Sequence, residues 1–307
     1  MFKLKNDVLG IDIGSGLIKM AQVAQGEKTQ IIKLGCIENP VSGASVEELN
    51  EADADLAEAL RNCYKNNGFS AKKVSLCLSE PSVIFRDIKL PGMNNEEILG
   101  NVRYEMADYF SIDIDKYAVT YRILEKEETY DRTVFRVLGA AVPSDLVAKY
   151  IRIIKKAGLR PAYIDVGINA CYKMIKHLKN NISFSRTVCI LDYGHRTLTI
   201  SLFDDGAPFI ARTVERNWEV QSVDAVTAVL NQMLDYYYSR NHTSFVDKVW
   251  VAGGNGYTNG FCRSLSMQTG VAAHILQPDM FSLEYGSNRD APMGVYLKSI
   301  GTAIRED

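Results

Sequence analysis

Apolar and polar residues alternate in three short runs at the start of the chain: VLGIDIG (8–14), LIKMAQVAQG (17–26) and KTQIIKLGCI (28–37). Glycine-containing turns separate them, the pattern of an antiparallel meander. The period then changes. In ADLAEALRNCYKNNG (54–68), Leu56, Leu60, Cys63 and Tyr64 recur on one helical face and Gly68 supplies a stop. The pattern next predicts strands near Val74–Leu78 and Val83–Ile88, a helix over Glu96–Tyr109, strands near Val119–Leu124 and Val134–Ala141, and a helix from Ser144 to Ala157. Strands and helices mixed in this order suit an inserted α+β unit.

The opening pattern then restarts. VCILDYGHRTLTISLFDDG (188–206) is strand, Asp-x-Gly turn and strand, as the first hairpin is. Aligning Asp12 with Asp192 places Gly14 on Gly194, Ile18 on Leu198 and Met20 on Ile200. One hairpin design is used twice. A long helix (222–240), an apolar strand (246–252) and a helix from near Thr258 follow.

Composition removes several classes of function. A formal charge of −2 over 307 residues leaves no broad basic surface for nucleic acid. The first residues lack the apolar core of a secretion signal, and no window reaches the ~18 apolar residues of a membrane helix, so the expected location is cytoplasmic. The six cysteines and four histidines are dispersed without ligand spacing. Core packing is expected for the cysteines, and no structural zinc.

The hairpins carry the candidate chemistry. Gly14 and Gly16 let backbone N–H groups approach a phosphate, and Ser15 adds a hydroxyl. An aspartate at such a tip would repel phosphate unless a divalent cation or its waters lay between. Asp12 and Asp192 on facing hairpins would hold a hydrated Mg²⁺ in this way. The plainer reading is two tight strand turns, with Asp and Gly serving turn geometry alone. A third cluster, VWVAGGNGYTNGF (249–261), runs a buried strand into Gly253, Gly254 and Gly256, a floor without side chains for a base or ribose. The GK[ST] of a P-loop is missing, and GSGLIK lacks the third glycine of a dinucleotide fingerprint.

Two DxG hairpins and a late GG cluster resemble the phosphate and adenosine motifs of the actin, sugar-kinase and heat-shock-chaperone ATPase superfamily. Within it, IKLPGMNNEEILGNVRYEMADYFSIDIDKYAVTYRIL (88–124), KKAGLRPAYIDV (155–166), VAGGNGYTNGF (251–261) and SIGTAIRED (299–307) resemble stretches of the PilM family of type IV pilus assembly. The resemblance covers nearly the whole chain.

It implies an α/β, actin-like ATPase fold of two related domains around a nucleotide cleft. A small α+β subdomain would be inserted in the first domain, and the upper subdomain of the second would be reduced. The expected division is 1–72, 161–185 and 291–307 for the first domain, 73–160 for the insert and 186–290 for the second domain. ATP with Mg²⁺ is the implied ligand. Asp12, Gly14, Ser15, Gly16, Asp192 and Gly194 match the phosphate motifs; Gly253, Gly254 and Gly256 match the adenosine motif. Lys19 matches a lysine of the first hairpin, facing either cleft or solvent.

The implied role is a cytoplasmic scaffold at the inner face of the cell membrane, peripheral through its partners, that docks the N-terminal peptide of a PilN-like inner-membrane protein. Pilus motor or platform components and a homo-oligomeric ring are further candidate partners. Gly167 stands where an acidic residue is usual, leaving Asp165 as the nearest candidate catalytic carboxylate and implying at most a weak ATPase. Arg196 is an unusual tip residue, able to meet phosphate or to neutralise Asp192. An FtsA-like filament former and a small sugar-kinase-like enzyme are the alternatives.

Overall fold

The computed structural model describes residues 7–42, 52–79, 82–179, 187–204, 206–215, 222–240, 245–286 and 290–305. The first run of alternating residues folds as the meander β1 (Val8–Ile13), β2 (Leu17–Ala24) and β3 (Gln30–Glu38). Helix α1 (Asp53–Asn66) buries Leu56, Ala57, Ala59, Leu60 and Cys63, the stripe expected from its period. It leads into β4 (Lys73–Leu78), which lies parallel to β1.

Three strands form a sheet of their own: β5 (Ile84–Pro91), β6 (Tyr117–Glu128) and β7 (Thr133–Pro143), in the order β5-β7-β6. Helix α2 (Asn95–Phe110) covers it with Ile98, Val102 and Met106. A reciprocal capping box between Asn94 and Glu97 fixes the start of this helix. Tyr109, near the end of the helix, is 61% exposed. Helix α3 (Ser144–Lys156) packs back on α1, and β8 (Arg160–Val166) pairs with β4. The separate sheet thus spans residues 84–143, narrower than the 73–160 expected, because β4, α3 and β8 close the first layer.

After α4 (Gly167–Ile175), the second meander is β9 (Thr187–Tyr193), β10 (Thr197–Asp204) and β11 (Ala207–Glu215). Helix α5 (Val223–Arg240) follows, then β12 (Val246–Ala252), α6 (Phe261–Thr269), β13 (Ala272–Ile275), the two-residue β14 (Glu284–Tyr285) and α7 (Met293–Ala303). Helix α6 begins at Phe261 rather than near Thr258, since a 3₁₀ turn and Gly260, at φ 78°, precede it. Four cysteines are buried as expected, whereas Cys36 is exposed and Cys262 half-buried.

The sheet orders expose the duplication. The first runs β14-β3-β2-β1-β4-β8 and the second β11-β10-β9-β12-β13. Apart from β14 they share one topology: a meander whose first strand also takes a parallel neighbour that arrives through a helix. The shared register aligns Asp12 with Asp192 at the C-terminal ends of β1 and β9, where an open α/β sheet binds its ligands.

Helix α7 is wedged against β1, β2, β4, β12 and α4. Its fit depends on missing side chains. A Cβ at Gly10 would overlap the Ser299 carbonyl oxygen, and one at Gly301 the Ala170 carbonyl oxygen. Gly10→Ala is therefore expected to destabilise the fold by at least the ~1–3 kcal/mol typical of overpacking. Gly100→Ala, at an exposed position of α2 with open space around it, should stabilise by roughly 0.5–1 kcal/mol. Urea denaturation of both variants checks the contrast.

Candidate functional site

The two hairpin tips are built alike. Gly14 N–H donates to the Leu17 carbonyl at 3.0 Å, and Gly194 N–H to the Thr197 carbonyl at 2.9 Å. Each is braced by an asparagine from another loop. Asn39 Nδ2 donates to the Gly14 carbonyl and Asn255 Nδ2 to the Gly194 carbonyl, both at 2.8 Å. Asn255 comes from the third glycine cluster, so that cluster is bonded directly to the second hairpin. Gly253 sits at φ 81°, a conformation open to glycine, and a Cβ there would lie 2.5 Å from Asp192 Oδ1. Gly254 has open space around it, and Gly256 packs on Val251.

The tips also touch each other. The Arg196 backbone N–H donates to Ser15 Oγ at 3.1 Å, and a Cβ at Gly16 would come within 2.9 Å of His195. Behind the tips, Leu78, Ser79, Gly167, Asp192, Thr199 and Lys298 are among the residues lining a cleft of about 30 Å³. That is room for about two waters. It is too small for a nucleotide.

Asp12 and Asp192 hold matching positions near the ends of β1 and β9, each on a lysine, and of these groups Asp192 and Lys298 line the cleft. In the first hairpin Asp12 lies directly across from Lys19, and Lys19 Nζ meets Asp12 Oδ2 at 2.7 Å. The Lys19 side chain is 15% exposed and is turned onto Asp12. In the second hairpin the residue across from Asp192 is Thr199. Its cation comes from elsewhere: Lys298 on α7 places Nζ 2.7 Å from Asp192 Oδ2. Burial alone would push the Asp12 carboxyl up, but Lys19 and Lys298 outweigh it and hold Asp12 below its usual 3.8. Burial would likewise lower Lys298, yet Asp12 and Asp192 together raise it well above an ordinary lysine.

These pairings test the expected metal. A water-bridged Mg²⁺ needs carboxylate oxygens turned to open, hydrated space. Here Asp12 Oδ2 and Asp192 Oδ2 each accept from an ammonium, and the charges balance without an ion. The residues do not fit a hydrated Mg²⁺ in this arrangement.

Asp165 is engaged differently. Its Oδ1 accepts from Val166 N–H and Asn169 Nδ2, and its Oδ2 pairs at 2.7 Å with Lys173, whose side chain is fully buried. Lys173 Nζ also donates to the Ile304 carbonyl at 2.6 Å, tying the end of α7 to α4. Burial lowers Lys173 from an ordinary lysine, and Asp165 opposes that shift. The neighbouring Gly167 leaves space taken by the Ser79 hydroxyl, 2.6 Å from where a Cβ would lie. Lys298, Lys173, Asn39 and Asn255 were not singled out in the sequence. One signal was available for Lys298: a lone lysine inside the apolar run MGVYLKSIGTA, where such a side chain stays buried only when paired.

Lys173→Met would strand the Asp165 carboxylate and is expected to cost about 3–5 kcal/mol, with part recovered by adding Asp165→Asn. Equilibrium denaturation of the single and double variants measures both. Asp12, with its folded value below 3.8, adds stability that is present above that pH and is lost as pH falls through the folded value. Asp12→Asn should remove that component from the acid limb of a stability-versus-pH curve.

The fold has solved relatives. A PilM-PilN type IV pilus biogenesis complex matches with a TM-score of 0.80 at 20% identity, over 96% of this chain and 97% of that one. The ethanolamine utilization protein EutJ from Carboxydothermus hydrogenoformans matches at TM-score 0.53 and 11% identity, over 96% and 88%. A Bacteroides thetaiotaomicron protein described as having an actin-like ATPase fold matches at 0.51 and 12%, over 90% and 94%. The architecture is therefore the actin-like ATPase fold expected from the sequence. A family model for the type IV pilus assembly protein PilM matches residues 10–216, spanning both aspartate hairpins and the three-stranded sheet. The chain belongs to the PilM family of type IV pilus assembly proteins.

Proposed function

We propose that this protein is a nucleotide-binding scaffold of type IV pilus assembly, acting at the cytoplasmic face of the inner membrane, that docks the N-terminal tail of a PilN-like membrane protein. The observation that carries the proposal is the family match itself, which runs unbroken from the first hairpin through the inserted sheet to the second hairpin. The likeness to a PilM-PilN complex, over nearly the full length of both chains, supports the same partner. Neither the filament nor the kinase alternative draws comparable support.

The three-stranded sheet is the docking element in this reading. One of its faces is sealed by α2, and β5 and β6 are its edges. An extended tail binds such a unit by adding along an edge or lying beside the helix. Tyr104 and Tyr109 stand 70% and 61% exposed on α2, large aromatic side chains of the kind that anchor interfaces. The hairpins supply the second half of the reading: two matched tips beside a glycine cluster, ready for a phosphorylated ligand once the domains part. Asp165 is held by Lys173, so binding and docking are the proposed activities, rather than turnover.

A fluorescent peptide copied from the N-terminal tail of the cognate PilN is expected to bind the pure protein with a saturable anisotropy change. Tyr104→Ala should weaken that binding by roughly tenfold while leaving the melting temperature unchanged. Failure of the tail to bind would refute the docking role.

A further inference from the structure

Asp12 and Asp192 are the carboxylates that a nucleotide-bound divalent cation would use, and this chain has placed two ammoniums on them. Lys19 and Lys298 carry together the charge of one divalent cation, set against the same two carboxylates.

Lys298 is held there by packing rather than by its own flexibility. Its neighbours Leu297, Ser299 and Ile300 are buried, and α7 is locked against β1 at Gly10 and against α4 at Gly301. Only 14% of the Lys298 side chain is exposed. A divalent ion would have to expel this ammonium from between two carboxylates. Its replacement of Lys19 in the second hairpin is specific: Thr199 occupies the cross-strand position, so the cation must come from α7. A lysine ammonium is also a direct phosphate ligand, a compact charge with three donors.

We infer that Lys298 is the built-in cation of this cleft, so that the protein takes a nucleoside polyphosphate without a divalent metal, the phosphates being met by the Lys298 and Lys19 ammoniums. This inference rests on the nucleotide reading of the cleft. Asp12 and Asp192 serve to position the two lysines rather than to hold a metal.

The test is calorimetric titration of ATP into the full chain in EDTA and again in excess Mg²⁺, beside titration of Mn²⁺ into the ATP-free protein read by electron paramagnetic resonance. Affinities within about threefold in the two buffers, and no Mn²⁺ bound at this site, are expected. In Lys298→Ala the freed aspartates should take one Mn²⁺, and ATP should bind at least about tenfold more weakly in EDTA than in Mg²⁺. Lys298→Gln, closer in volume, repeats the measurement if the alanine variant does not fold, with circular dichroism as the check. ATP binding by the wild type that requires Mg²⁺, or Mn²⁺ bound in the wild type and lost in Asp192→Asn, would overturn the inference while leaving the nucleotide reading intact. No ATP binding in either buffer would overturn both, and would leave the peptide measurement to decide the docking role.

Discussion

Helix α7 meets both halves of the molecule, and its seat is set by two glycines that bring backbone against backbone. At Gly10 the helix presses on the first strand of the first sheet, and at Gly301 on α4. Its N-terminal end reaches the other sheet, where the Gly253 N–H donates to the Gly294 carbonyl and Tyr257 Oη accepts from the Gly294 N–H. Because the helix cannot shift without opening these contacts, Lys298 arrives at Asp192 with little freedom to leave. The same helix ends on the Lys173 ammonium, which holds the Ile304 carbonyl and Asp165 together. Removing the close approach at either glycine would loosen the cleft, the pairing of its charges and the join between domains at once.

The duplicated meander explains why the site has its form and where it departs from symmetry. Both hairpins make the same tip bond and take the same asparagine brace, so their backbones present equivalent surfaces. Their charges are satisfied by different routes. Asp12 finds its lysine across its own hairpin, the shortest path a sheet offers. Asp192 faces Thr199 and depends on a residue more than a hundred positions later. A repeat that keeps its backbone while exchanging a local partner for a distant one couples the second domain to α7, and through α7 to the first.

This contrast also fixes what was legible in the sequence. The meanders, the α1 stripe and the repeated DxG tips could be read because each is a local pattern, with period 2 or 3.6 or a turn that needs glycine. The Asp12–Lys19 pair follows from hairpin register once the turn at Gly14–Leu17 is counted, although strand alternation left the direction of Lys19 open. Lys298 could not be placed in this way. Its role arises from the depth to which α7 is buried, and that depth depends on Gly10 and Ala170, which lie far away in the chain. The strands β8, β11 and β13 were missed for a related reason: their pairing is settled by neighbours already in the sheet more than by their own alternation. Burial of Asp165 with Lys173 likewise depends on how α4 meets the chain end, a tertiary fact absent from the local run YIDVGINA.

The inserted sheet does not stand apart from the cleft. Val83 and Phe85, at the entry to β5, line the same small cavity as Thr199, Ala211 and Thr213 of the second sheet. Arg136 of β7, paired with Asp87 of β5, donates at 3.4 Å to the Pro208 carbonyl on β11. A parting of the domains that admits a nucleotide would disturb the contacts of β11 with Arg136 and with β5, an edge strand of the sheet proposed to dock a tail. Ligand in the cleft and peptide on the sheet would then act on one shared interface. By linkage, whatever the first does to the affinity of the second, the second does to the first. The sign depends on whether the tail grips β5 in its position against β11 or away from it.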